Sequence, residues 1–361
     1  MLEMLKIILE KLGNLFRGGG GLVEGEEDSR DFDFGAIFGF PSLKELPKEY
    51  RIPVLYWHDQ KGSDMCTGFA VAEASEDQEL KPLHPEFQFM TGKRIRGDWR
   101  PWGNSINAAL KGAVKYGSIP LDFAPEMTLG NKSRNYLANW NNWSQKYWDE
   151  AKKYQKKSYF KVSNNRANVD KFDMVRIGLY GNRELKRTIV TGAYWRGNWS
   201  YPKNAIIPKI GKGGSIGHMF EIIGWKEIEG EPYLIIFPNY GHRFGDNGLI
   251  YMDRYVANRY LPFGLYALVD IPVDIAKILN QYANKVVGIG TPPLYLIQGG
   301  KKRHVPNQNV LNALGFKDEL GEGGYQTIPV NDLDVIPKGN PVTTKDLSDP
   351  MQQLFHRNKL N

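Results

Sequence analysis

One cysteine, Cys66, stands alone in 361 residues. Its isolation excludes an intramolecular disulfide and any zinc site built from several thiolates, and leaves a thiol that is either buried filler or a reactive group. Long apolar runs are missing too. Nothing approaches the roughly 18 consecutive apolar residues of a membrane span. There is no phosphate-binding glycine loop, no zinc spacing and no EF-hand loop; GDNG at 245–248 is too short to hold calcium. The residues therefore imply no cofactor and no metal. Neither sign of charge dominates: 47 Lys and Arg against 40 Asp and Glu leave +7, spread along the chain. That balance does not describe a specific nucleic-acid binder.

What is present is a globular composition. Apolar residues make up 41% and aromatics 12%, enough for a sizeable core. At roughly 150 residues per domain, the length predicts two domains or one with appendages. Residues 1–17 carry Leu2, Leu5, Ile8, Leu9, Leu12, Leu15 and Phe16 at helical spacing, with charges opposite. Followed by the glycines of 18–21, this amphipathic helix is expected either to pack on its own protein or to dock on a partner, a second copy or a surface. An arm follows at 22–45, and a dense mixed domain at 46–272. The pattern predicts helices from Cys66 (CTGFAVAEASEDQEL), over 105–116 and around 133–156. Strands are expected at 188–195, 218–225, 233–237, 248–252 and 264–271. Helices first and strands later predict an α+β fold with a segregated antiparallel sheet. A helix and linker at 273–289 lead to a small module at 290–345, with a hairpin about Gly299-Gly300, and a tail at 346–361. Lys301, Lys302 and Arg303 near that turn are either a solvated hairpin tip or a docking site for an anionic surface. Trp140, Trp143, Trp148, Tyr147 and Tyr154 read as core and lid packing, with a stacking face for sugars or bases as the alternative.

Four residues follow one another in an informative order. Gln60 lies in DQKGSDMCTGFA, and Cys66 opens a helix. His218 lies in GGSIGHMFEIIGW, and Asn239 follows a strand in YLIIFPNYGHRFGDNGLIYM. Thiolate chemistry needs these types. A helix N-terminus and an imidazolium lower a thiol pKa, an amide oxygen orients the imidazole, and N–H donors stabilise an oxyanion. Gln60 and the Cys66 amide are candidates for the donors.

This order, with its local strings, resembles the papain-like cysteine proteases. LPKEYRIP at 46–53 echoes their LP-x-x-x-D-W-R opening, QKGSDMCT their Q-G-S-C-G-S-C-W segment, and NYGHRFGDNG their N-S-W-G-x-x-W-G-x-x-G stretch. LHPEFQFMTGKRIRGDWRPWGNSINAALKGAVKYGSIP is similar to the bacterial branch. The resemblance implies a two-lobed fold, with a helical lobe and a barrel-like antiparallel lobe, and a peptide or protein substrate lying between them. It implies a Cys66–His218–Asn239 triad assisted by Gln60, and a groove lined by Gly103, Asn104, Ser105 and Gly217. The implied reaction is peptide hydrolysis through an acyl-enzyme. An inactive or weakly active scaffold of the same fold, attached to a surface or virus particle, is the alternative; transfer or amidase chemistry is a third. The sequence also departs from the pattern. Ser63 stands where the family has a disulfide cysteine, Thr67 and Tyr240 where it has tryptophans, and Asp64 beside the nucleophile would raise the thiol pKa if it pointed inward. Control by a pro-segment is not expected, and the DFDFGAIFGF arm at 31–40 is the segment that would cover a groove.

Overall fold

A computed structural model describes residues 21–23, 32–33, 43–162, 169–181, 187–200 and 202–269, and a discontinuous set from 278 to 343. The chain forms two compact units. One comprises Pro47–Leu179 and Arg183–Asp270 together with the segment 21–23, and the other the chain from 271 onward together with short pieces including Tyr180–Asn182. The expected helix at 1–17 lies outside the described residues, as do most of the 31–40 arm and most of the 273–287 helix.

In the first unit, β1 (Tyr50–Arg51) is followed by α1 (Cys66–Glu79), α2 (Pro85–Arg96) and α3 (Ile106–Lys115). α1 is buried from Cys66 to Glu76 with no polar face, so it forms the central helix of its lobe. α2 starts with Pro85 in its first turn and His84 as cap. The buried His84 caps this helix by accepting from the Phe87 amide. Ser105 caps α3 by accepting from Ala108 N, 3.3 Å away. The segment expected as one helix around 133–156 is broken. Ser133 caps α4 (Arg134–Ala138), Asn139 ends it, and Ser144 precedes α5 (Gln145–Ala151). Met65, Phe69, Phe87, Met90, Trp143 and Tyr147 close this helical core. Trp143 and Tyr147 are therefore packing residues, with the Trp143 ring edge-on to Phe87 and to His84.

After β2 (Ser158–Lys161) and α6 (Lys171–Gly181) come β3 (Ile189–Arg196), β4 (Ser215–Ile228), β5 (Glu231–Phe237), β6 (Ile250–Met252), α7 (Arg254–Tyr260) and β7 (Tyr266–Val269). The antiparallel sheet runs β2-β7-β3-β4-β5-β6, with β1 paired to β4 beyond the end of β3. β4 is buried continuously from His218 to Trp225, as its run of apolar residues anticipates. Its register on β3 sets Ala193 opposite His218 and Tyr194 opposite Gly217. Where the sheet meets α1 and α3, Cys66, Val71, Ile106, Leu110, Val190, Met219, Tyr266 and Leu268 form one core. The nucleophile candidate sits at the seam of the lobes because the first turn of α1 packs directly on β4.

In the second unit β8 (Val286–Gly288), β9 (Leu294–Gln298), β10 (Lys301–Val305), β11 (Gln326–Thr327) and β12 (Lys338–Gly339) form a sheet in the order β11-β8-β9-β10-β12, with α8 (Gln308–Ala313). The expected hairpin is there, Gln298 facing Lys301. Two of its three cations do not form a free basic row. Lys302 is buried and donates to the Leu333 carbonyl, and Arg303 donates to Gln298 and to the Asn340 and Pro341 carbonyls. The short strands leave many carbonyls at this edge, and the cations satisfy them.

Candidate active site

Cys66 opens α1, and the N-cap residue Met65 supplies no capping side chain. The first-turn amides are thus left for other acceptors. The Cys66 thiol is fully buried and receives three main-chain N–H groups, from Met219, from Gly21 at 3.3 Å, and from Thr67. Burial pushes the thiol up to about 11; the Met219 and Gly21 N–H groups pull the other way, and the Asp64 charge adds to the rise. The helix N-terminus was expected to lower this pKa. Here desolvation outweighs it, because the sulfur is covered.

His218 lies one residue before Met219 and is buried. Its Nε2 is 3.0 Å from the carbonyl oxygen of Pro238. The ring stacks on Tyr240 at 5.0 Å and 16°, and meets the edge of Trp195 at 4.9 Å. Tyr240 thus covers the imidazole face. Asn239, expected to orient this ring, turns its amide to the buried carboxyl of Glu73. With its nitrogen on that side it donates to both oxygens, 3.1 Å to Oε1. The backbone explains the difference: Asn239 has φ +63, a left-handed position that Asn tolerates, and this turn presents the preceding carbonyl to the histidine. Beneath Asn239, Glu73 and Glu221 are both pushed well above the usual carboxylate range, first by burial and then by the negative charges around them. Gln60 is buried too; its main-chain N–H donates to the Asn239 carbonyl and its Nε2 to the Ser63 carbonyl.

Across the seam lies a strip of three residues from the chain's own N-terminal part. Leu22 N donates to Gly217 O at 2.9 Å, Val23 N to Asn104 O at 2.9 Å, and Asn104 N to Gly21 O at 2.6 Å. Leu22 is buried in the core formed by Cys66, Ile106, Val190 and Met219, with Phe263 against it. Both walls depend on missing side chains: a Cβ at Gly103 would lie 2.0 Å from Gly21 O, and one at Gly217 2.0 Å from Leu22 O. Only glycine lets a peptide backbone come this close. Extended peptide is what the groove accommodates. The described contacts that cover it come from Gly21–Val23, the last two of these residues in the arm expected at 22–45, while most of the 31–40 part of that arm lies outside the described residues.

Xylellain, a cysteine protease from Xylella fastidiosa, matches with a TM-score of 0.56 at 17% identity, over 71% of this chain and 97% of xylellain. The fold is papain-like. Procathepsin B S9 from Trypanosoma congolense matches with a TM-score of 0.50 at 13% identity, over 73% of this chain and 88% of that one. No family model matches the sequence, and no curated protein does. Cys66, Asn104 and Gly217 all meet the segment 21–23; His218 follows Gly217 on β4, and Gln60 bonds to the Asn239 carbonyl. The Ser105 hydroxyl caps α3, and the Gly103 N–H goes to Asp64 at 2.6 Å. Asp64 does point inward, but it is paired with Arg134. Trp195, Pro238, Glu73 and Arg134 were not anticipated. Trp195 and Arg134 lie far from the motifs in sequence, Pro238 acts through a backbone carbonyl that no residue type announces, and Glu73 is one of several acidic residues on the Cys66 helix with nothing in the sequence to single it out.

Proposed function

We propose that this chain is a cysteine peptidase whose groove is closed by its own residues 21–23. The observation that carries the reading is the main-chain pairing of an extended segment to both walls, at Asn104 and Gly217, directly against the Cys66 thiol. In the open groove, Cys66 as thiolate attacks the carbonyl carbon of a bound peptide. The oxyanion is met by the Cys66 amide and the Gln60 side chain once that side chain leaves the Ser63 carbonyl. His218, held through Nε2 by Pro238, gives a proton to the departing amine. It then takes one from water, whose oxygen displaces the thiol from the thioester and releases the acid.

The segment in place is a blocker and not a substrate. It pairs in parallel with the chain at Asn104, and the atom it offers to sulfur is the Gly21 amide N–H. Attack needs a carbonyl carbon there, and the Gly21 carbonyl is turned to Asn104 N. A second reading, an inactive scaffold, draws on the raised pKa of the covered thiol. The two separate in one experiment. Full-length Leu22→Asp, with and without Cys66→Ser, is assayed on casein and on a fluorogenic peptide. Hydrolysis in the first and none in the second is the expected result. A Leu22→Asp protein that is alkylated at Cys66 yet cleaves neither substrate sinks the peptidase reading.

A further inference from the structure

The wall of the groove that carries Gly103 and Asn104 needs a fixed distance from Cys66, and this chain has no second cysteine with which to tie it. The tie it has instead is ionic. Asp64, two residues before Cys66 and fully buried, accepts from Arg134 Nη2 at 2.6 Å and Nε at 2.9 Å, and from the Gly103 amide at 2.6 Å. The same guanidinium donates to the carbonyls of Trp99 at 2.9 Å and Pro101 at 2.7 Å. Buried Lys93 reaches the carbonyls of Pro101 and Gly103 from the other side. The Trp99 and Pro101 carbonyls, through Arg134, and the Gly103 amide, directly, are thereby fastened to Asp64 on the loop that carries the nucleophile, and Asn104, next in sequence, is the residue that pairs with peptide backbone. Two planar groups joined by parallel N–H···O contacts fix direction as well as distance, which a lysine in place of Arg134 would not do.

From this we infer that Asp64 and Arg134 are positioning residues for peptide binding, an ion pair that sets the Gly103–Asn104 edge relative to Cys66. Arg134 reaches neither the thiol nor the occupant of the groove; it acts through the edge. The inference deepens the peptidase reading and rests on it for its peptide arm alone. In the chain as it stands, Arg134→Gln loosens the edge that holds residues 21–23, and iodoacetamide labelling of Cys66 rises by about fivefold or more. In a Leu22→Asp background, where the segment is already released, Arg134→Gln leaves iodoacetamide labelling within about twofold. It raises the half-saturating concentration of a leucyl epoxysuccinyl peptide by about tenfold, with the limiting inactivation rate little changed. Asp64→Asn raises the half-saturating concentration likewise, and on that quantity the double variant is no worse than either single one, because the two side chains act as one unit. Arg134→Lys, which keeps the charge and protects folding, falls between wild type and Gln.

A merely structural role would lower the melting temperature without separating half-saturation from limiting rate. The inference is overturned if folded Arg134→Gln and Arg134→Lys change neither labelling reaction. It is equally overturned if small-reagent labelling and limiting rate fall together, since the pair would then serve the nucleophile itself. If Leu22→Asp ignores the epoxysuccinyl peptide while Arg134→Gln still speeds iodoacetamide labelling of the full chain, the peptidase reading fails and the ion-pair inference stands.

Discussion

Replacing Leu22 by Asp is the most direct way to open the groove. The leucine is 5% exposed and packs against Ile106, Val190 and Met219. Burying such a side chain contributes about 2 kcal/mol. A carboxylate has no partner in that core and stays in water, so the substitution forfeits the whole contribution. That loss alone shifts the bound-to-free ratio of the segment about 30-fold, at about 1.4 kcal/mol per factor of ten. The chemistry of the thiol sets a ceiling. A group pushed up to about 11 is thiolate in only about one molecule in 3,000 at pH 7.5, against about one in ten for an ordinary cysteine. The expected gain in the second-order rate of iodoacetamide labelling therefore lies between about 30-fold and about 300-fold. The assay is intact-mass labelling at pH 7.5, with circular dichroism showing an unchanged fold. A synthetic GGGGLVEG peptide, the sequence of residues 18–25, should restore protection in the variant. Equal labelling rates in wild type and Leu22→Asp, both near that of a free thiol, would refute the reasoning, because the segment would then not cover Cys66 in solution.

Three further outcomes follow from individual contacts. Gly217→Ala places a Cβ against the Leu22 carbonyl, so it should speed iodoacetamide labelling as Leu22→Asp does, yet block peptide hydrolysis, because substrate backbone needs the same space. In the Leu22→Asp background, Asn239→Gly should keep kcat/KM within about tenfold, while His218→Ala removes activity; a loss as large as that of His218→Ala would show that the Asn239 side chain orients the ring after all. The carboxyls of Glu73 and Glu221 have folded-state pKa values above the unfolded one, so the folded protein holds protons that the unfolded chain has released above pH ~4.5, and stability falls as pH rises. Glu221→Gln, which still accepts from the Thr188 hydroxyl, should then raise the melting temperature at pH 8 and change it little at pH 4; a gap independent of pH would contradict the assignment.

Elements with a local signal were readable. The helix opening at Cys66, the run from His218 to Trp225 and the hairpin at Gly299-Gly300 all carry their pattern within a few residues. α2 carries none: Pro85 to Lys93 is buried all round, so no polar face marks a helical period, and PEFQFM alternates like a strand. The break in the 133–156 segment was written in Ser133, Asn139 and Ser144, residues that begin or end helices, but an aromatic-rich run masked them.

Residue order determined which chemistry this chain can attempt: one thiol at a helix start, one histidine entering a central strand, and glycines on both sides of them. Only the tertiary structure decided how those groups stand. That His218 leans on the Pro238 carbonyl follows from a left-handed turn at Asn239, and φ angles are not written in residue types. Asp64 finds its counter-ion 70 residues away. The groove is filled by Gly21–Val23 because main-chain hydrogen bonds recognise any extended backbone, and such contacts leave no mark on sequence beyond the glycines that make room for them.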